Sequence, residues 1–216
     1  MWSDDPDFDF GSVTGICGSG IIEAIAGLFL AGVIDTDGVI REPSEPSPRV
    51  VPSERTFSYV LCLEPRIEVI QSDVRAVQLA KAALYAGARL LMDHYGVDHV
   101  DEIRLAGAFG SHIDPLYAMV LGMIPDCDRD RVSAAGNAAG VGAMMALLSG
   151  VARVEIEATA LAIEKVETAV EPRFQEHFVA ALAIPHKTDG FPMLSAVIDL
   201  PSPTESRGRR GRRSGQ

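Results

Sequence analysis

The stretch RLAGAFGSHIDPLYAMVLGMIP, residues 104–125, joins an apolar run to a helix-like run through a corner of small residues. The first run stops at Gly107 and Gly110, and Asp114 with Pro115 opens the second. Asp is a favoured helix N-cap and Pro a favoured first helical residue, so the stretch predicts a strand, a glycine turn and a helix. Small residues at such a corner either pack tightly or leave room for a ligand against the backbone.

Two further corners have the same character, GICGSG at residues 15–20 and AGNAAG at 135–140. Free N–H groups at the start of a following helix attract phosphate, and flat adenine fits a slot walled by backbone and apolar atoms. The chain contains no Gly-Lys-Ser/Thr ending of a P-loop. Close packing stays the alternative for each corner. The candidate cofactor-contacting residues are Gly18, Ser19, Gly20, Gly107, Ala108, Phe109, Gly110 and Asn137.

The remaining patterns alternate strands with helices and therefore predict an α/β fold with several helices packed on a small mixed sheet. Before the quoted stretch they predict a helix after Gly20, a proline-rich loop over 42–53, a hairpin of strands 56–63 and 66–70, and a helix from Ser72 or Asp73 to about His94. After it they predict helices from Asn137 to Ser149 and over 151–162, an edge strand over 164–170, and a last helix after Pro172.

The long helix ending near His94 has an apolar stripe that predicts its buried face. The stripe consists of Val74, Val77, Leu84, Ala88 and Leu91. Lys81 lies in the same helix, and solvent exposure is the ordinary expectation for a lysine, with ligand contact as the alternative.

Composition limits the possible classes of protein. The 216 residues carry a formal net charge of −11, with 47% hydrophobic residues. No apolar run reaches the roughly 18 residues of a membrane span, and the acidic start resembles neither a signal nor a transit peptide, so we expect a cytoplasmic protein without membrane contact. The three cysteines, Cys17, Cys62 and Cys127, form no CxxC pair, which favours buried neutral thiols and no metal site.

The C-terminal segment RGRRGRRSGQ is basic, whereas the rest of the chain is acidic. An acidic body repels the nucleic-acid backbone, so no nucleic acid is expected as a partner. The basic segment itself is either a solubilising tail or a contact for RNA or an acidic partner. We expect three parts: an acidic segment over 1–14, a lobe over 15–188 with a loop insertion at about 41–55, and a tail over 189–216 that is disordered from about residue 202.

Five blocks occur in an order that identifies a family resemblance: GICGSGIIEAIAGLFLAGVID, QSDVRAVQLAKAALYAGARLLMDHYG, IRLAGAFGSHIDPLYAMVLGMIP, GNAAGVGAMMALLS and VETAVEPRFQEHFVAALAIPH. Together, over roughly residues 15–188, they resemble the C-terminal part of the reductive activators of corrinoid-dependent methyltransferases. These activators belong to the acetate/sugar kinase–Hsp70–actin superfamily of actin-like ATPases.

The resemblance implies a partial ribonuclease-H-like lobe that holds ATP with Mg²⁺ against a second lobe, with LAGAFG as the adenosine motif. It also implies a 2Fe-2S domain upstream in full-length members, which use ATP to drive the reduction of cob(II)alamin to cob(I)alamin. A corrinoid protein of a methyltransferase system is the implied partner.

The sequence departs from the family pattern in two respects. The acidic phosphate loops of the DxGTT and DIGTNGE kinds, and the ferredoxin cysteines, do not occur in it. An actin-like ATPase needs those aspartates to hold Mg²⁺ and to position water. We therefore expect a C-terminal fragment, a truncated product or half of a split protein, inactive alone and completed by an N-terminal lobe or second subunit. A non-catalytic interaction module and a small-molecule kinase relative are the alternatives.

Overall fold

The computed structural model describes residues 13–53, 55–168 and 170–201, and these ranges form an α/β fold. The helices are α1 (Gly18–Leu30), α2 (Gln71–Tyr95), α3 (Gly107–Gly110), α4 (Pro115–Leu121), α5 (Ala138–Leu148), α6 (Gly150–Ala162), α7 (Phe174–Ala180) and α8 (Pro192–Ser195). The strands are β1 (Val50–Ser53), β2 (Thr56–Cys62), β3 (Ile67–Val69), β4 (Ile103–Ala106) and β5 (Val132–Gly136). The expectations for residues 1–12 and 202–216 lie outside the described residues.

The sequence predicted one small mixed sheet, whereas the strands form two separate sheets. One sheet is antiparallel and the other is parallel. The antiparallel sheet has the order β1-β2-β3 and contains the predicted hairpin. The loop prediction for 42–53 is wrong at its end, because residues 50–53 are strand β1. Val50 is buried opposite Tyr59, and Pro52 lies on an edge strand, where a missing N–H removes no sheet hydrogen bond.

The second sheet positions the glycine corners. Strands β4 and β5 pair in parallel, with Ala106 opposite Gly136 at their carboxyl ends. As predicted, α4 follows with Asp114 as its N-cap, whose carboxylate accepts from the Leu116 N–H at 2.8 Å. Helix α4 packs on α1 through fully buried residues that include Phe29 and Val120.

The predicted buried face of helix α2 is confirmed at Val74, which is fully buried, and is wrong towards the end of the helix. The side chains of Leu84 and Leu91 are exposed, whereas Gln78, Lys81 and Tyr85 are buried. Helix α7 packs against α2, and the residues that follow α7 cover this polar face. The helix starts at Gln71, slightly before the cap expected at Ser72 or Asp73. Asp73 is its third residue, and its carboxylate accepts from the N–H of the N-cap residue Ile70 at 3.0 Å.

Lys81 is the clearest correction, because it is 1% exposed rather than solvated. Its ammonium Nζ donates to the carbonyl of Ala183 and, at 2.8 Å, to that of Pro185. Gln78 likewise donates to the Leu182 carbonyl at 2.9 Å. Side chains of α2 therefore bind the segment 182–185 through its backbone, which satisfies polar groups that would otherwise be costly to bury.

The edge strand predicted over 164–170 is also wrong, because the described residues of that segment form no strand. Alternation alone does not make a strand when no neighbouring strand is present to pair with it. The last predicted helix is confirmed as α7, in which the ring centroids of Phe174 and Phe178 lie 6.2 Å apart. Among the described residues, no helix is long and apolar enough to span a membrane.

Candidate functional site

The turn from β4 into α3 contains two glycines, one with free space beside it and one packed against its neighbours. Gly107 has φ +90°, a conformation that disfavours side chains, and a Cβ there would meet no atom within 4 Å. Gly110 faces the opposite constraint, since its Cβ would lie 2.8 Å from Leu105 Cβ and 2.9 Å from the Leu105 carbonyl carbon. Packing thus explains Gly110, whereas Gly107 leaves free space beside the backbone.

The turn from β5 into α5 is built around Asn137. The preceding Gly136 has φ +62°, and the side-chain carbonyl of Asn137 accepts from the Gly140 N–H at 2.9 Å. A Cβ at Gly140 would lie 2.5 Å from Asn137 Nδ2. Asn137 therefore caps α5, as its position near the predicted helix start suggested, and its Oδ1 atom is already engaged.

These two turns adjoin each other in space. Ala106 and Gly136 are partners at the carboxyl ends of neighbouring parallel strands, and α3 contacts β5. Crevices at the carboxyl ends of parallel strands are the usual ligand sites of α/β proteins.

The third corner meets the first through an aromatic ring. A Cβ on Gly18 would lie 3.2 Å from Cε2 of Phe109, so the start of α1 and the turn before α4 are in contact. Ala108 and Phe109 remain exposed, with half of the Phe109 side chain accessible. The predicted residues at all three corners thus lie at connected positions around the ends of β4 and β5.

Cys17 is a feature of this site that the sequence analysis assigned to the protein interior. It is exposed, and its Sγ accepts from the Gly20 N–H at 3.3 Å and lies 3.4 Å from Ser19 Oγ. The hydrogen bond with Ser19, followed by that from Gly20, lowers the pKa of the Cys17 thiol. Cys17 lies directly before Gly18, where the N-cap of the predicted helix is expected, and this position could have indicated an exposed capping role. The burial expected of Cys127 is confirmed.

The best-formed cavity of the described residues does not lie at the corners. A cavity of about 560 Å³ lies elsewhere, lined by residues of α2, α8 and the segment 125–131, and includes none of the corner residues. Within the described ranges, no three His, Cys, Asp or Glu side chains converge as metal ligands.

Comparison with known proteins places this geometry in a family. Residues 5–195 match the family model described as the C-terminal domain of RACo, the ASKHA domain. The chain belongs to this family. The ASKHA fold and the α/β class predicted from the sequence are thereby confirmed.

Two relatives of the RACo C-terminal domain extend the comparison. The chain is 37% identical over 179 residues to the corrinoid activation enzyme RamQ of Eubacterium limosum, which covers 76% of this chain and 30% of that enzyme. A solved reductive activator for a corrinoid, iron-sulfur protein matches with a TM-score of 0.71 and 33% identity, over 80% of this chain and 28% of that one. The chain therefore spans less than a third of the length of these relatives.

Proposed function

We propose that this chain is the C-terminal nucleotide-binding lobe of an ATP-dependent reductive activator of corrinoid methyltransferase proteins. The observation that carries the proposal is the convergence of three glycine corners at the ends of β4 and β5. This convergence occurs in a member of the RACo C-terminal domain family, and relatives named as corrinoid activators share the fold.

The corners suit the two ends of a nucleotide in different ways. The backbone of residues 107–110, with its positive φ and the exposed ring of Phe109, offers the flat apolar wall that a base requires. The start of α1 offers an anionic phosphate the Gly20 N–H and the Ser19 hydroxyl, for which the phosphate would compete with the Cys17 thiol. Gly18 and Phe109 connect the two regions, so one ligand could contact both.

The remaining chemistry would come from polypeptide that the relatives carry outside the matched region. Mg²⁺ needs carboxylate oxygens beside the phosphates, and the corners supply none. We assign those carboxylates to an N-terminal lobe or second subunit, and a 2Fe-2S centre to an upstream domain. In this assignment the chain binds and orients the nucleotide, and ATP hydrolysis drives electron transfer to a corrinoid protein.

A second function, a non-catalytic module that docks a partner lobe or a corrinoid protein, has one observation in its favour. Helices α5 and α6 expose large apolar side chains such as Leu148 and Leu161. Such a module would bind its partner equally well with and without nucleotide, which separates the two functions.

Calorimetry with ATP and Mg²⁺ tests the proposal on two proteins. The first is this chain alone. The second, called the hybrid, joins the part of the Eubacterium limosum enzyme that precedes its matched region to the N-terminus of this chain. We expect weak or no binding by the chain alone and clear binding by the hybrid. Micromolar ATP binding with hydrolysis by the chain alone would contradict the fragment interpretation. A folded hybrid that does not bind ATP would contradict the nucleotide site.

A further inference from the structure

Helices α5 and α6 follow each other with Ser149 between them, and neither helix contains a buried residue. Six of their large exposed apolar side chains are here called the α5–α6 apolar face: Met144, Met145, Leu147, Leu148, Val151 and Leu161. Leu148 is 83% exposed and Leu161 is 90% exposed. Isolated exposed leucines are ordinary, whereas this many exposed large apolar side chains on two successive helices indicate an interaction surface.

Two side chains near Ser149 connect α5 and α6 by hydrogen bonds. The Ser149 hydroxyl accepts from the Ala152 N–H at 3.1 Å and caps α6. The guanidinium of Arg153 donates to the Ala146 carbonyl of α5 at 2.8 Å. These bonds connect the two helices at their junction, and the large apolar side chains around it are exposed.

The strand that precedes α5 is also exposed. Among the described residues, β4 and β5 pair only with each other, and residues 133–135 of β5 are exposed. Parallel strands are normally buried on both faces. Helix α5 begins directly after β5, so the uncovered strand leads through the corner at Asn137 into the helices that carry the α5–α6 apolar face.

We infer that the α5–α6 apolar face is the docking surface for the polypeptide that precedes this domain in the corrinoid activators. The inference rests on the proposed function, because it takes its occupant from the same relatives. The matching family model describes a C-terminal domain, and the chain spans 28% of the solved activator and 30% of the Eubacterium limosum enzyme. The larger, preceding part of such proteins is the partner, and it meets this face with apolar side chains.

Methionine oxidation by hydroxyl radicals tests the docking surface directly. Met144 and Met145 lie on the α5–α6 apolar face, and Met193, on α8, is equally exposed and serves as an internal control. In the folded hybrid, oxidation of Met144 and Met145 should fall severalfold relative to the chain alone, while that of Met193 stays unchanged. Equal oxidation of all three methionines in the folded hybrid would overturn the inference. The chain alone is measured at a concentration at which light scattering shows a monomer, so that association between copies does not protect the two methionines.

A substitution provides a second measurement. Leu148→Glu in the hybrid should lower the melting temperature far more than Leu63→Glu, since Leu63 is also exposed but lies at the β2–β3 turn. Equal effects of the two changes would count against docking at this face. Nucleotide binding separates this inference from the function. If Met144 and Met145 are protected but the hybrid does not bind ATP, the docking surface is supported and the nucleotide function is contradicted. If the hybrid binds ATP but the two methionines are not protected, the nucleotide function is supported and the docking surface is contradicted.

Discussion

The ring of Phe109 packs against Gly18, so closely that a Cβ on Gly18 would lie 3.2 Å from Phe109 Cε2. This contact joins the start of α1 to the turn after β4, two corners that are far apart in the sequence. A nucleotide that spans both corners would depend on the position of this ring. The contact therefore gives a way to disturb the proposed site without disturbing the core.

Gly18→Ala is predicted to displace the Phe109 ring and to weaken ATP binding by the hybrid severalfold. The effect on stability should stay below about 1 kcal/mol, because the ring is half exposed and can move. Gly27→Ala in the same helix is the control, since its Cβ would meet nothing within 4 Å and alanine stabilises helices by roughly 0.5–1 kcal/mol over glycine. Calorimetry and urea melts measure the two effects. Unchanged ATP affinity for Gly18→Ala would show that the contact serves packing alone.

Gly107→Val is predicted to abolish ATP binding by the hybrid. A β-branched residue at φ +90° is strained by about 1–3 kcal/mol, and its side chain would project into the free space beside the turn. Gly87→Ala, in the middle of α2 with neither a positive φ nor a close neighbour, should bind ATP normally. Binding is measured by calorimetry after circular dichroism has shown that each variant folds. A folded Gly107→Val hybrid with normal ATP affinity would return this turn to the packing explanation.

The features that were predictable from the sequence are those fixed by neighbouring residues. Asp114 and Asn137 cap their helices because the N–H groups that they accept from lie two or three residues ahead. The burial of Lys81 and Gln78 on α2 was not predictable, because both side chains donate to carbonyls more than 100 positions away in the sequence. Hydrophobic periodicity assumes that polar residues face water, and long-range backbone acceptors break that assumption.

Lys81 should make stability depend on pH above neutrality. Burial lowers the pKa of Lys81 to about 7, below its ordinary value, so between about pH 7 and 10 the unfolded chain binds more protons than the folded one. The free energy of unfolding should therefore rise with pH in this window. From pH 7 to 9 the contribution of this one group is about 2 kcal/mol.

The comparison that isolates this effect uses Lys81→Met, which keeps an unbranched side chain and removes the titrating group. The stability of the wild-type chain relative to this variant, measured by urea melts, should rise between pH 7 and 9. Taking the difference cancels the titration of Cys17, whose pKa is also lowered. His186, whose pKa is lowered by burial, titrates below this window. A difference that stays flat with pH would mean that the two carbonyls keep Lys81 charged throughout.

The exposed apolar side chains of α5 and α6 predict that the chain alone self-associates or is only marginally stable. Monomers rarely expose contiguous apolar patches beyond a few hundred Å², and Leu148 and Leu161 are each more than 80% exposed. Light scattering should show association that decreases in the double variant Leu148→Lys and Leu161→Lys, whereas Leu63→Lys, at an exposed position outside these helices, should leave it unchanged. The hybrid should be monodisperse and melt at a higher temperature, because the added polypeptide buries the same side chains. A monodisperse chain that melts at the same temperature with and without the added polypeptide would show that the lobe is stable by itself, and the interaction-module function would then be preferred.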